Sequence, residues 1–296
     1  MNKINIQFSR FSAFYSPLIL TISEKYLQSE GLSPYWSIAN NPGEAIKALQ
    51  LGKVHVIQSA ISQSFSALEK NESIDVEHFA QINERDGFFI TGRDQNSNFT
   101  WDKLEGTEVL LQPGGQPLSM FKYACHKAGI NYKNIKPIIP ENGKSMDQYF
   151  REGNGQYIHQ QGPEPQQIES DGLGFVLTKV GETVGKCAFS SLASKKDWPT
   201  TDMGEAFCRA YKKACTFIKT QSPIRITRSI EPYFKNIDIN SLEECIRSYQ
   251  SLGCWTGRPS ISRESFDKTL DIFDYNSSIS RRYRYEEICT LFPGDK

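Results

Sequence analysis

Apolar and polar positions along the N-terminal third follow a strand-then-helix rhythm. Ile4-Asn5-Ile6-Gln7-Phe8 alternates with period two, the pattern of a half-buried strand. Pro17 suits the first turn of a helix, and Ile19, Ile22 and Tyr26 then share one face until Gly31 stops it. A second strand is expected around Tyr35-Trp36-Ser37-Ile38. Asn41-Pro42-Gly43-Glu44 follows as a helix start, with Ala45, Ile46 and Leu49 on the buried face and Gly52 as the stop. His55-Val56-Ile57 reads as a short strand leading through Ser59 into a helix carrying Ile61, Phe65 and Leu68. This βαβαβα order predicts a parallel sheet with right-handed crossovers and a ligand crevice at the carboxyl ends of its strands.

Gly87-Phe88-Phe89-Ile90-Thr91 reads as a buried strand, and the polar Arg93 to Asn98 stretch as a loop or crossing. The rhythm restarts with the strand Glu108-Val109-Leu110-Leu111 and the turn Gln112-Pro113-Gly114-Gly115-Gln116-Pro117. A helix with Leu118, Phe121, Ala124 and Cys125 inward comes next. Met146 to Tyr149 suits a helix, while Gln156-Tyr157-Ile158 and Gly172 to Leu177 suit strands. From about Gly185 the character becomes helical, with Glu205 to Thr220 amphipathic through Phe207, Tyr211, Ala214, Cys215 and Ile218. The last hundred residues are expected to return as helices onto the first lobe.

At 296 residues the chain exceeds what one core usually supports, which favours two lobes. Lys plus Arg and Asp plus Glu both number 34, so no overall charge draws it to nucleic acid or anionic membranes, and a small-molecule partner is expected. The Arg281-Arg282-Tyr283-Arg284 cluster is read as solvated surface. Seven cysteines without metal-type spacing point to free thiols rather than a disulfide framework. No transmembrane run is present. Pro17 interrupts the one candidate signal core, Phe11 to Ile22. If a leader has been removed the protein is expected in the periplasm or cell envelope; if the chain is complete, in the cytoplasm.

Five places offer ligand chemistry. Gly114-Gly115-Gln116 opens a helix, where close backbone approach and free N–H groups suit sulfonate, phosphate or carboxylate, although a plain tight turn accounts for it as well. Gln58-Ser59 and Asn40-Asn41 are similar helix starts. Phe14 and Tyr15 follow the first strand, and one of the two is expected to offer an aromatic face to the ligand while the other packs. Glu84 and Arg85 either pair with each other or meet the ligand. His55, between two valines, is read as structural.

Phe14-Tyr15-Ser16-Pro17, Gly31-Leu32, Leu51-Gly52-Lys53-Val54-His55, Leu104-Glu105-Gly106, Gly114-Gly115, Glu164-Pro165 and Gly253-Cys254-Trp255 occur in the order found in one family. On these motifs the chain resembles the SsuA/THI5-like solute-binding proteins of ABC transporters. The resemblance implies an α/β, two-lobed type II periplasmic-binding-protein-like fold with a ligand cleft between lobes. It places the first lobe at about 1–92 plus 186–296 and the second at 93–185. It further implies capture of a sulfonate, nitrate or thiamine/pyrimidine-precursor solute for an ABC permease, with Glu164 as a second-lobe contact; Tyr157 nearby is a further candidate.

The same family holds yeast-type pyrimidine synthases that use a lysine-held pyridoxal phosphate and donate a histidine ring. Matching their Gly-Lys-Val segment to Gly52-Lys53-Val54 puts Ser59 at the lysine and Gln63 at the histidine, and only Cys187 of their cysteine-rich loop is retained. Neither an amine nor an imidazole is available for that chemistry. No catalytic residue, cofactor or metal site is therefore expected. A cytoplasmic enzyme on the same fold, acting on a cofactor precursor, and a cytosolic ligand sensor are the alternatives.

Overall fold

The alternating N-terminal segment is a strand, β1 (Asn2–Phe8), whose Ile4, Ile6 and Phe8 are fully buried. It lies between β2 (Leu32–Ile38) and β3 (Val56–Ser59) and is parallel to both, as the strand-helix rhythm requires. β2 is an edge strand, which is why Pro34, lacking an N–H, is tolerated within it. The computed structural model describes residues 1–73, 75–95, 98–141 and 143–294; the expected loop at 93–98 falls partly outside these, at Asn96 and Ser97.

Two five-stranded sheets form the two lobes. The first has the order β2-β1-β3-β10-β4, with β4 spanning Glu77–Asn83 and β10 spanning Ser190–Ser194. The second has the order β7-β6-β8-β5-β9, built from β5 (Phe88–Gly92), β6 (Glu108–Leu110), β7 (Lys136–Ile138), β8 (Tyr157–Gln161) and β9 (Phe175–Lys179). In each, the strands preceding the cleft-facing helices run parallel, and a strand arriving from the other lobe is inserted antiparallel: β10 between β3 and β4, β5 between β8 and β9.

Local sequence misses several features. The segment after Pro17 is not one helix: Ser16–Ser23 ends at Glu24, Lys25 takes a left-handed φ of 58°, and a short turn of helix resumes at Tyr26–Ser29. The Phe88–Gly92 strand joins the second sheet, so the first crossing between sheets lies at Glu84–Gly87, ahead of the boundary expected at 92. β10 stands where helix was expected. Its Ser190-Ser191-Leu192-Ala193-Ser194 carries no apolar alternation because the strand is buried on both faces.

The C-terminal helices span both lobes instead of returning to the first alone. Asp202–Thr220 buries Phe207, Tyr211, Ala214, Cys215 and Ile218 and packs on the Ser16–Ser23 helix. Ile239–Leu252 packs on the Ala13–Tyr15 turn of the first lobe and on the Glu164–Ser170 helix of the second. Its buried Tyr249 hydroxyl accepts from the Gly162 N–H at 2.8 Å and donates to the Gly87 carbonyl at 3.0 Å. Arg263–Tyr275 packs against the Gly115–Lys127 helix. All seven cysteines are free and buried. Among the described residues no helix is long and apolar enough to cross a membrane.

Candidate functional site

A cavity of about 300 Å³ lies between the lobes at the carboxyl ends of β1, β3, β6 and β8. Ser9 and Arg10 enter it just after β1, Gln58 and Ser59 at the end of β3, the Gln112–Pro117 turn after β6, and Gln161 at the end of β8. Phe88 and Ser190 reach the same place from the starts of the antiparallel strands β5 and β10, and Phe189 closes one wall. Arg10 is the one charged residue among those lining it.

Three helix starts reach this cavity, at Pro42 and Ala60 in the first lobe and at Gly114 in the second. Ile61–Glu69 begins at Ala60, and Gly115–Lys127 begins at Gly114; no side chain caps either. The first-turn N–H groups of an uncapped helix lack intrahelical acceptors, and the helix dipole adds partial positive charge there. Gly114 and Gly115 take φ of 121° and 66°, backbone conformations that disfavour any side chain, so glycine is required for this turn. The Asn41 start differs: the Asn41 side chain accepts from the Glu44 N–H at 3.0 Å, so this helix supplies its own cap.

Side chains tie the two lobes together around the cavity. Ser62 Oγ donates to Gln116 Oε1 at 2.6 Å, and Gln116 Nε2 donates to the Phe189 carbonyl at 2.6 Å. Tyr15 donates its phenol to Gln161 Oε1 at 3.3 Å, and Ser12 Oγ donates to the Gly162 carbonyl at 2.5 Å. Burial raises the Tyr15 phenol above its ordinary value, partly opposed by Gln161, Arg10 and Ser190, so it stays protonated and able to donate. Gln58 Oε1 accepts from the Ser9 and Arg10 N–H groups at 3.1 Å each, which fixes the backbone that carries Arg10. Ser59 lines the cavity, and its Oγ is buried without a hydrogen-bond partner among the described residues.

Of the residues singled out from sequence, Tyr15, Gln58, Ser59, Gly114, Gly115 and Gln116 line this cavity, and Glu164 lines a recess that opens beside it. Four lie elsewhere. Phe14 is fully buried against Phe189 and Tyr249, because its neighbour Tyr15 takes the cleft-facing direction. Asn41 is spent on its own helix. Tyr157 is 8% exposed and packs against Phe99 and above Gly92 in the second sheet. Glu84 lines a separate polar cavity with Lys186 and Arg258, since the chain is already leaving the first sheet there. Ser59 and Gln63, the positions matched to the synthases' lysine and histidine, both face the main cavity.

Arg10, Phe88, Gln112, Gln161 and Ser190 carry no local mark of a ligand site. The position of Arg10, directly after an alternating strand in a parallel sheet, was the one usable signal. His55 accepts from the Asn5 N–H through Nδ1 at 2.9 Å and lies outside the cavity, as a structural histidine would. Arg281, Arg282 and Arg284 pair with Glu287 and Asp271 at the surface.

Two lobes joined by crossing strands, with a cavity at converging strand ends and helix starts, are the architecture of the periplasmic-binding-protein fold. Solved structures agree on this fold. The alkanesulfonate-binding protein SsuA of Xanthomonas axonopodis pv. citri, bound to MOPS, superimposes with a TM-score of 0.74 at 13% identity, covering 98% of this chain and 99% of that one. The periplasmic aliphatic sulphonate binding protein SsuA of Escherichia coli gives 0.73 at 14% identity, with 98% and 97% covered. Among curated proteins, "Putative binding protein YtlA" of Bacillus subtilis (strain 168) is 23% identical over 292 residues, 97% of this chain and 87% of its own. No family model matches the chain.

Proposed function

We propose that this protein reversibly captures a small organic anion, of which a sulfonate fits best, and presents it to an ABC permease. The observation that carries this reading is the pair of uncapped helix starts, Ala60 and Gly114, facing one cavity from opposite lobes. An anion seated between them satisfies first-turn N–H groups of both lobes at once and draws the lobes together. Arg10 adds the one formal positive charge, and the unpartnered Ser59 hydroxyl adds a donor. Tyr15, Phe88 and Phe189 supply apolar wall for carbon, and the cavity volume suits an organic anion better than a bare inorganic one. The sulfonates named for the two SsuA structures support the same choice.

Mass spectrometry of molecules released from the purified protein, followed by calorimetry and thermal shift with short alkanesulfonates, nitrate, sulfate and pyrimidines, tests this. A sulfonate is expected to raise Tm in a concentration-dependent way, since a ligand at about 100 times its Kd adds roughly 2.7 kcal/mol of stability. If no anion binds, or a neutral pyrimidine binds best, the reading fails.

A further inference from the structure

The cavity beside Glu84 shares no wall residue with the main cavity or the recess next to it. It measures about 230 Å³ and lies where three segments meet: the Glu84–Gly87 crossing, the return between Gly185 and Phe189, and the turn from Arg258 into the Arg263–Tyr275 helix. Backbone bonds fix Glu84 at this junction. Its N–H donates to the Cys254 carbonyl and its carbonyl accepts from the Cys187 N–H, both at 2.9 Å.

Four charged residues line the cavity, Glu84 and Glu264 against Lys186 and Arg258. Among the described residues none of the four makes an ion pair within 4 Å. Glu84 is 4% exposed, yet its carboxyl has no hydrogen-bond partner among them either. Arg85, its neighbour in sequence, donates to the Gly181 carbonyl at 3.2 Å instead. Burial raises the Glu84 carboxyl above its ordinary range, with Lys186 and Arg258 opposing and Glu264 adding to the shift. The carboxyl thus senses the other three charges of the cavity and pairs with none.

A buried carboxyl without a donor costs free energy until one arrives. A lone anion entering this cavity meets two carboxylates, and a lone cation meets Lys186 and Arg258. A molecule carrying both charges a few bonds apart answers both pairs. Every residue lining the cavity is charged or a serine, so it offers no apolar side chain to a hydrocarbon group.

We infer that this cavity is a second ligand site, separate from the cleft, for a small zwitterion of the α-amino acid class with little or no apolar side chain. Glu84 receives the ammonium, and Lys186 and Arg258 receive the carboxylate. The inference stands apart from the anion-capture reading of the cleft, and no result with sulfonates bears on it.

Calorimetry on the whole chain with glycine and serine, against acetate, ethylammonium, inorganic phosphate and leucine, tests it. Glycine and serine are expected to bind about tenfold or more tightly than any of the other four, the range of one added hydrogen bond to a charged group. Lys186→Ala and Arg258→Ala, both at exposed positions, should each weaken glycine about tenfold without changing urea unfolding. In Glu84→Gln the advantage of glycine over acetate should fall to about twofold or less. That variant alters a buried position, so the two surface variants decide the matter if it does not fold. Acetate or phosphate binding as tightly as glycine would overturn the inference in favour of a plain anion site. Leucine matching glycine, or glycine affinity unmoved by both surface variants, would overturn it as well, as would absence of glycine and serine binding at millimolar concentration.

Discussion

Ser59 and Asp86 show how single residues carry the tension between folding and binding. The Ser59 hydroxyl is buried without a partner among the described residues, in a residue that lines the cavity. Ser59→Ala is therefore expected to leave stability unchanged or slightly raised, while sulfonate affinity measured by calorimetry falls about tenfold. Asp86, in the crossing between sheets, is fully buried; its Oδ1 accepts from the Phe88 N–H at 2.7 Å and its Oδ2 has no partner. Burial raises this carboxyl to about 7, against about 3.9 in an unfolded chain. Between those values the folded state keeps a proton the unfolded state gives up, so stability falls as pH rises through the window. Asp86→Asn keeps the acceptor and removes the titration. Urea unfolding at pH 5 and pH 8 should show the variant gaining on the wild type at the higher pH, by roughly 2–3 kcal/mol, because part of the window already lies below pH 5. A single carboxyl between Arg85 and Gly87 gives no local sign of such burial.

Helix starts decide the site at the scale of elements. Among the helix starts whose first residues line the main cavity, the one at Asn41 is capped by its own side chain, whereas those at Ala60 and Gly114 have no side-chain cap. Asn41→Ala should thus cost about 1 kcal/mol in thermal or urea unfolding and leave ligand affinity within about twofold. Gly115→Ala forces a side chain into a left-handed conformation, at roughly 1–2 kcal/mol, and displaces the turn proposed to meet the anion. Calorimetry should register at least a tenfold loss of affinity. The Gly114-Gly115 turn was legible because two adjacent glycines between a strand and an amphipathic helix mark a backbone path that side chains would obstruct. The status of Asn41 was not, since a capping side chain and a ligand-binding side chain are the same residue type. β10 was invisible for a different reason: a serine-rich strand buried on both faces has no polar side to alternate with.

Coupling between the lobes, at the scale of the whole molecule, rests on a few groups. Tyr249 ties the end of β8 at Gly162 to the Glu84–Gly87 crossing, so Tyr249→Phe should cost about 1–3 kcal/mol by leaving a buried N–H and carbonyl unpaired. Ligand should slow amide exchange at 60–64 and 113–118, which meet across the cleft, and leave the Phe14 region unchanged; hydrogen exchange with and without sulfonate checks this.

The sequence alone determined the parallel strand-helix order, the two-lobed expectation and the rule that ligand sits at strand ends, because periodicity and turn chemistry are local properties of neighbouring residues. It also marked the glycine turn and the Gln58-Ser59 end of β3. Only the tertiary structure decided that Tyr15 rather than Phe14 faces the cleft, that Arg10 is its one charge, and that β5 and β10 each pair antiparallel with strands remote in sequence. It decided as well that Glu164 lines a recess beside the cavity. Each of these depends on contacts between segments tens to hundreds of residues apart, which no local pattern encodes.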